Sequence, residues 1–190
     1  MNGKFFCAKC GSICRKNVLF FSQISTAKAP KGVTMQENFM KEALKEAKKA
    51  YEKLEIPVGA VIVKDNKIIA RAHNLKETKQ SAMAHAEILA IQKANKRLNN
   101  WRLLDCDIYI TLEPCTMCLG AITSSRIKNM YIGTLDPKNN EDVEEKISKY
   151  KEKHGINAEI GIMQEECEYI LKDFFKYLRK NGGENVKLSE

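Results

Sequence analysis

From Phe39 onward apolar residues recur at three- and four-residue steps: Phe39, Met40, Ala43, Leu44, Ala47, Ala50, Tyr51 and Leu54 are set among lysines and glutamates. That period predicts an amphipathic helix over about Gln36 to Leu54, stopped by Pro57. Two β-rich runs follow, Val58 to Lys64 and Lys67 to His73, and the Asp65-Asn66 pair between them predicts a hairpin with a two-residue turn. After a polar loop from Asn74 to Ser81, a second helix is expected from about Ala84 to Leu98. A strand at Asp107 to Leu112 leads to Pro114, placed to open a helix at no cost in hydrogen bonds. Met130 to Thr134 reads as a strand, Glu141 to His154 as a charged helix, Ala158 to Met163 as a strand and Glu165 to Lys180 as a last amphipathic helix. Strands separated by helices predict an α/β sandwich around a mostly parallel sheet of five strands, with the hairpin at one side.

The first 34 residues break this regularity. Phe5-Phe6 and Leu19-Phe20-Phe21 have no periodic partners, and the stretch holds six basic residues and no acid. Residues 1–34 are therefore read as an unstructured leader, 35–180 as the folded domain and 181–190 as a flexible tail. A transit peptide and a small metal knuckle on Cys7, Cys10 and Cys14 are two explanations of the leader. The favoured third is an upstream start artefact, because Lys31-Gly32-Val33-Thr34 can be encoded with a bacterial ribosome-binding sequence ahead of Met35.

Divided this way, the net charge of +8 leaves only +2 from Met35 onward, so overall basicity says little about nucleic acid. No apolar run approaches the roughly 20 residues of a membrane-spanning helix, and no span is expected. Seven cysteines in a lysine-rich chain without an apolar secretory leader point to reduced, metal-binding thiols and a reducing compartment, the cytoplasm.

The candidate chemistry lies in His85-Ala86-Glu87 and Pro114-Cys115-Thr116-Met117-Cys118. One imidazole and two thiolates make a three-ligand zinc set with a fourth position left for water, the pattern of a catalytic site. Glu87 is the carboxylate expected to move the proton. Residues two apart on a regular helix point about 200° apart, so His85 and Glu87 must occupy a helix entrance. There the dipole should favour an ionised Glu87, as it should lower the thiol pKa of Cys115 and Cys118 at the next helix start. A redox reading of the two cysteines leaves His85 and Glu87 without a role. Cys106 and Cys167 read as small apolar fillers, and His73 and His154 as surface or loop histidines.

His-x-Glu followed by Pro-Cys-x-x-Cys is the signature of zinc nucleobase deaminases. The likeness extends to Ile56-Pro57-Val58-Gly59-Ala60-Val61, Asn100-Trp101-Arg102-Leu103, Thr111-Leu112-Glu113 and Asp173-Phe174-Phe175, and over nearly all of Phe39 to Arg179 the chain resembles the bacterial tRNA adenosine deaminases. The resemblance implies a three-layer α/β/α, cytidine deaminase-like sandwich with a mixed sheet, in a homodimer that converts the wobble adenosine of a tRNA anticodon to inosine. It implies Zn²⁺ on His85, Cys115 and Cys118, proton transfer by Glu87, and substrate contacts from Asn74, Asp136 and Phe174 or Phe175. Asn139-Asn140-Glu141-Asp142 and Gln80-Ser81-Ala82-Met83 depart from the family pattern. Those departures keep a second expectation open, a deaminase of a free base or nucleoside of the guanine, cytosine or cytidine type. A non-catalytic zinc module that binds RNA is a third, and it has no use for Glu87.

Overall fold

A computed structural model of the chain describes residues 34–137 and 142–181. Helix α1 spans Met35–Glu52. Thr34 and Glu37 form a capping box at its start, each side chain bonding the other's backbone N–H at 3.1 and 2.8 Å. The helix therefore begins one residue before the apolar period suggests. Strands β1 (Gly59–Lys64) and β2 (Lys67–His73) form the expected hairpin. Asp65 and Asn66 both have positive φ, 49° and 57°, as the preferred two-residue turn requires.

The remaining elements are α2 (Lys76–Lys79), α3 (Ala86–Leu98), β3 (Cys106–Leu112), α4 (Thr116–Ser124), β4 (Asn129–Thr134), α5 (Val143–His154), β5 (Asn157–Ile160) and α6 (Gln164–Asn181). Helix α2 falls where the pattern gives only a polar loop, since four residues carry no period to detect. The pattern starts α5 at Glu141, which lies outside the described residues, as do the leader with Cys7, Cys10 and Cys14 and the tail beyond Asn181. In the structure Asp142 caps α5, accepting from the Glu144 and Glu145 N–H groups.

The sheet order is β2-β1-β3-β4-β5. β1 is antiparallel to both its neighbours, while β3, β4 and β5 pair in parallel, so four of the five strands run one way and the sheet is mixed. Side chains alternate between two cores. Ala60, Ile62, Ile108, Ile110, Met130 and Ile132 face α3, α4 and α5, with Ala86, Ala90, Ala94, Ile122 and Tyr150. Val61, Val63 and Tyr109 face α1 and α6, with Met40, Ala43, Ala47, Cys167 and Ile170. The result is the three-layer α/β/α sandwich. Gly59 sets how closely α1 approaches: a Cβ there would lie 2.0 Å from the Ala43 carbonyl oxygen. Cys106 and Cys167 are buried, in keeping with their reading as small apolar fillers. His73 departs from the surface reading, since it ends β2 half-buried and bonds Glu46 at 2.8 Å.

Candidate metal centre and active site

Two helices begin at one place, on the α3/α4 face of the sheet. His85 is the N-cap of α3 and Cys115 the N-cap of α4, both with extended backbone (φ −71°, ψ 152° and φ −67°, ψ 167°). Their carbonyls accept the first helical bonds, from Leu89 at 3.0 Å and Leu119 at 2.9 Å. Neither side chain caps its own helix, which leaves imidazole and thiol free to turn toward each other. The expectation that Pro114 opens α4 is corrected by two positions, since Thr116 is the first helical residue. Pro114 precedes the N-cap, because an extended Cys115 aims its thiol at His85, while Cys118 reaches the same point from the third helical position. The helix-entrance arrangement demanded by the His-x-Glu spacing is what the backbone adopts.

The His85 Nδ1 atom lies 3.5 Å from Cys118 Sγ and 3.8 Å from Cys115 Sγ. All three donor atoms fall within 4.8 Å of one another. Zinc bonds of about 2.3 Å to sulfur and about 2.0 Å to nitrogen, at tetrahedral angles, require N···S separations of about 3.5 Å. The donor set therefore fits zinc by type and by spacing. Among the described residues it is the cluster of His, Cys and acidic side chains that could hold a metal ion, and it offers three ligands of a tetrahedral four. Burial, aided by Lys76, holds the His85 pKa below its ordinary value and favours the neutral ring a metal needs.

Glu87, the second residue of α3, is 4 % exposed. Burial pushes its carboxyl pKa up, against the opposing pull of bonds to its own backbone amide and to Cys118. The Cys118 thiol is likewise driven far up by burial, then by Glu87 and Cys115. Both directions overturn the expectation drawn from the helix dipole. The dipole acts at partial charges near a helix end, and removal from water is the larger effect for a group with almost no exposure.

Asn74 is buried at the end of β2, 7 % exposed. Its N–H donates to the Val58 carbonyl at 3.0 Å, and the Leu75 N–H donates to the Ala84 carbonyl at 2.9 Å, so the residue after Asn74 is tied to the residue before His85. The Asp136 N–H donates to Glu113 Oε2 at 3.0 Å, and Glu113 Oε1 accepts from Tyr150 at 3.0 Å and pairs with Lys146 at 2.6 Å. The structure thus anchors the loop at Asp136 to the residue before Pro114. Phe174 is 1 % exposed and packs edge-on to Tyr51 and Phe175, so it is a core residue with no face for a ligand. Phe175 is 37 % exposed. One residue that the pattern does not single out belongs to this region, Glu55. Its signal is an acid between Leu54 and Ile56 just before Pro57, and the structure buries it to 1 % exposure beside Asn74.

Residues 33–134 match the model of the cytidine and deoxycytidylate deaminase zinc-binding region. The tRNA-specific adenosine deaminase of Bacillus subtilis (strain 168) is 48 % identical over 150 residues, 78 % of this chain and 93 % of the relative. A solved structure of a tRNA:A34 deaminase, from work on A-to-I editing at the wobble position of transfer RNA, is 40 % identical with a TM-score of 0.64, over 70 % of this chain and 99 % of that one. The guanine deaminase of Bacillus subtilis is 43 % identical over 52 % of this chain and 64 % of its own, with a TM-score of 0.51. The matched region contains His85, Cys115, Cys118 and Glu87. The chain belongs to the family of zinc deaminases that holds the cytidine and deoxycytidylate deaminases and the tRNA-specific adenosine deaminases.

Proposed function

We propose that this protein is a zinc-dependent hydrolase that converts the wobble adenosine of a tRNA anticodon to inosine, releasing ammonia, and that it works as a homodimer in the cytoplasm. The observation that carries the chemistry is the convergence of His85, Cys115 and Cys118 on one point beside a buried Glu87. The choice of substrate is supported by the extent of the match to tRNA-specific adenosine deaminases, which takes in nine-tenths of the relative's length.

His85, Cys115 and Cys118 would hold Zn²⁺, which when bound would supply the Lewis acidity for activating water near neutral pH. Glu87 takes one proton from the attacking water and places it on ring nitrogen 1 as oxygen bonds to carbon 6, then carries the second from the new hydroxyl to the exocyclic nitrogen, which leaves carbon 6 as ammonia while oxygen stays behind as the inosine carbonyl. A carboxyl whose pKa is raised by burial is suited to both halves of that task, since it holds and yields a proton closer to working pH. Asn74 contacts the base, the loop at Asp136 lies along the flipped nucleotide, and the exposed ring of Phe175 offers a stacking face to an unpaired base of the anticodon loop. Phe174 supports Phe175 from the core.

The acids at the start of α5 do not count against RNA, because Asp142 caps that helix and Glu144 and Glu145 sit at its positive end. The 43 % identity to a guanine deaminase over half of the chain favours testing the free-base reading beside it. The zinc-loaded protein is incubated with an anticodon stem-loop bearing adenosine at the wobble position and, separately, with guanine, cytosine and cytidine. Inosine in the digested RNA is the expected product; ammonia from a free base with no inosine would replace the tRNA reading. Light scattering is expected to give twice the 21.6 kDa chain mass, and a monomer would remove the homodimer.

A further inference from the structure

Helix α1 ends in a Schellman arrangement. The Leu54 N–H donates to the Tyr51 carbonyl at 2.9 Å and the Glu55 N–H to the Ala50 carbonyl at 3.0 Å. That turn needs a left-handed residue, and Leu54 takes the conformation at φ 58° although it is not glycine. The turn sends Leu54 outward, 53 % exposed, and Glu55 inward, 1 % exposed. Inside, the Glu55 carboxylate meets three donors: the Thr78 N–H at 2.6 Å, the Glu77 N–H at 3.2 Å and the Asn74 side-chain nitrogen Nδ2 at 3.3 Å. Glu77 and Thr78 are the second and third residues of α2, and the N-cap residue there, Leu75, makes no side-chain cap. Glu55 caps that helix from a distant part of the chain, satisfying the two amides an N-cap Ser or Asp would satisfy.

We infer that Glu55 is a positioning residue of the active site, a buried carboxylate that fixes which way the Asn74 amide presents itself to the nucleobase. This rests on the proposed role of Asn74 in substrate contact. A carboxylate accepts hydrogen bonds and does not donate. It therefore takes the nitrogen end of the Asn74 amide, and a flipped amide would set Oδ1 against Glu55 Oε2, acceptor against acceptor. One orientation survives. Oδ1 and the second N–H of Nδ2 are left for a ligand, a paired acceptor and donor of the kind that reads the edge of a purine. Because Glu55 also holds the start of α2, and Leu75 is tied to Ala84 beside His85, the amide is fixed relative to the metal ligands as well as in its own rotation.

The test is a double-mutant cycle on the zinc-loaded protein, with E55Q, N74A and the double variant. Glutamine keeps the size of the side chain, but its amide can face Asn74 either way, so the orientation is no longer imposed. E55Q is expected to raise KM about tenfold, the weight of one charge-assisted hydrogen bond, with kcat changed less than about threefold. The double variant is expected to match N74A, because Glu55 acts through Asn74. A KM for E55Q within twofold of wild type overturns the inference, whatever happens to Tm, and so do KM penalties that multiply in the double variant. If E55Q does not fold, E55D, with the carboxylate drawn back by one methylene, takes its place in the same cycle. The assay uses whichever of the stem-loop or free bases the wild type deaminates, so failure of the tRNA reading shows in the wild type and failure of this inference in the cycle.

Discussion

Two glutamates lie almost completely out of water on the site side of this molecule, and they are treated in opposite ways. Glu55, 1 % exposed, meets three N–H donors. Glu87, 4 % exposed, has its own backbone amide and a thiol, and burial prevails over both to push its carboxyl pKa up. A buried acid costs free energy unless donors compensate it. Where the carboxylate is part of the architecture, as at Glu55, the chain supplies the donors in full. Where the carboxyl has the proposed task of changing protonation during a reaction, as at Glu87, full compensation would lock it in one state, and the fold leaves it with fewer donors.

The contrast is broken most severely at Glu87. E87Q keeps the shape and removes the exchangeable proton. kcat is expected to fall by about 10³-fold, in the range for loss of a general acid–base group. Metal analysis should still find zinc, since His85, Cys115 and Cys118 are untouched, and Tm should hold or rise, because a neutral amide is cheaper to bury than an acid. The same isosteric change at Glu55 is expected to act on KM instead. Should E87Q lower Tm and spare kcat, the two glutamates would be alike after all, and the catalytic assignment of Glu87 would fall.

How legible these residues are in the chain follows the same division. His85, Glu87, Cys115 and Cys118 are readable because their side chains are chemically rare in combination and fall close together in sequence. The helices and the hairpin are readable because an apolar period, or an Asp-Asn pair between β-rich runs, is local information. Glu55 is not, because an acid between Leu54 and Ile56 is a faint local mark; its partners come from Asn74 and α2, which the fold brings back to it. Helix α2 escapes for the same reason, as its cap is supplied from outside its own residues. Phe174 and Phe175 are adjacent and alike in sequence, and only packing against Tyr51 decides which is core and which is exposed. The pKa directions at Glu87 and Cys118 are misjudged from sequence because a helix terminus is visible there and the depth of burial is not.

A third buried glutamate sharpens the comparison at its small end. Glu46, 4 % exposed on α1, accepts from Lys49 and from His73 Nδ1 at 2.8 Å. Burial alone would raise its pKa, but those bonds outweigh it and hold the carboxyl below its ordinary value. It is thus compensated by a lysine and a histidine ring where Glu55 is compensated by amides, and both contrast with Glu87. A carboxyl whose folded pKa is depressed adds stability that is present above its unfolded pKa, about 4.3, and is lost as pH falls through the folded value. E46Q should therefore be less stable than wild type at neutral pH, by about 1 kcal/mol or less given that Lys49 is half in solvent. The gap should close as the pH is lowered past the unfolded value toward the depressed one. Urea midpoints of the two proteins measured in parallel from pH 7 down to pH 3 read this directly, and all other acids cancel between them. A gap that stayed constant across that range would mean that Glu46 is held by packing and not by its partners' charge. A gap that widened toward low pH would place Glu46 with Glu87, among the acids the fold leaves short of donors.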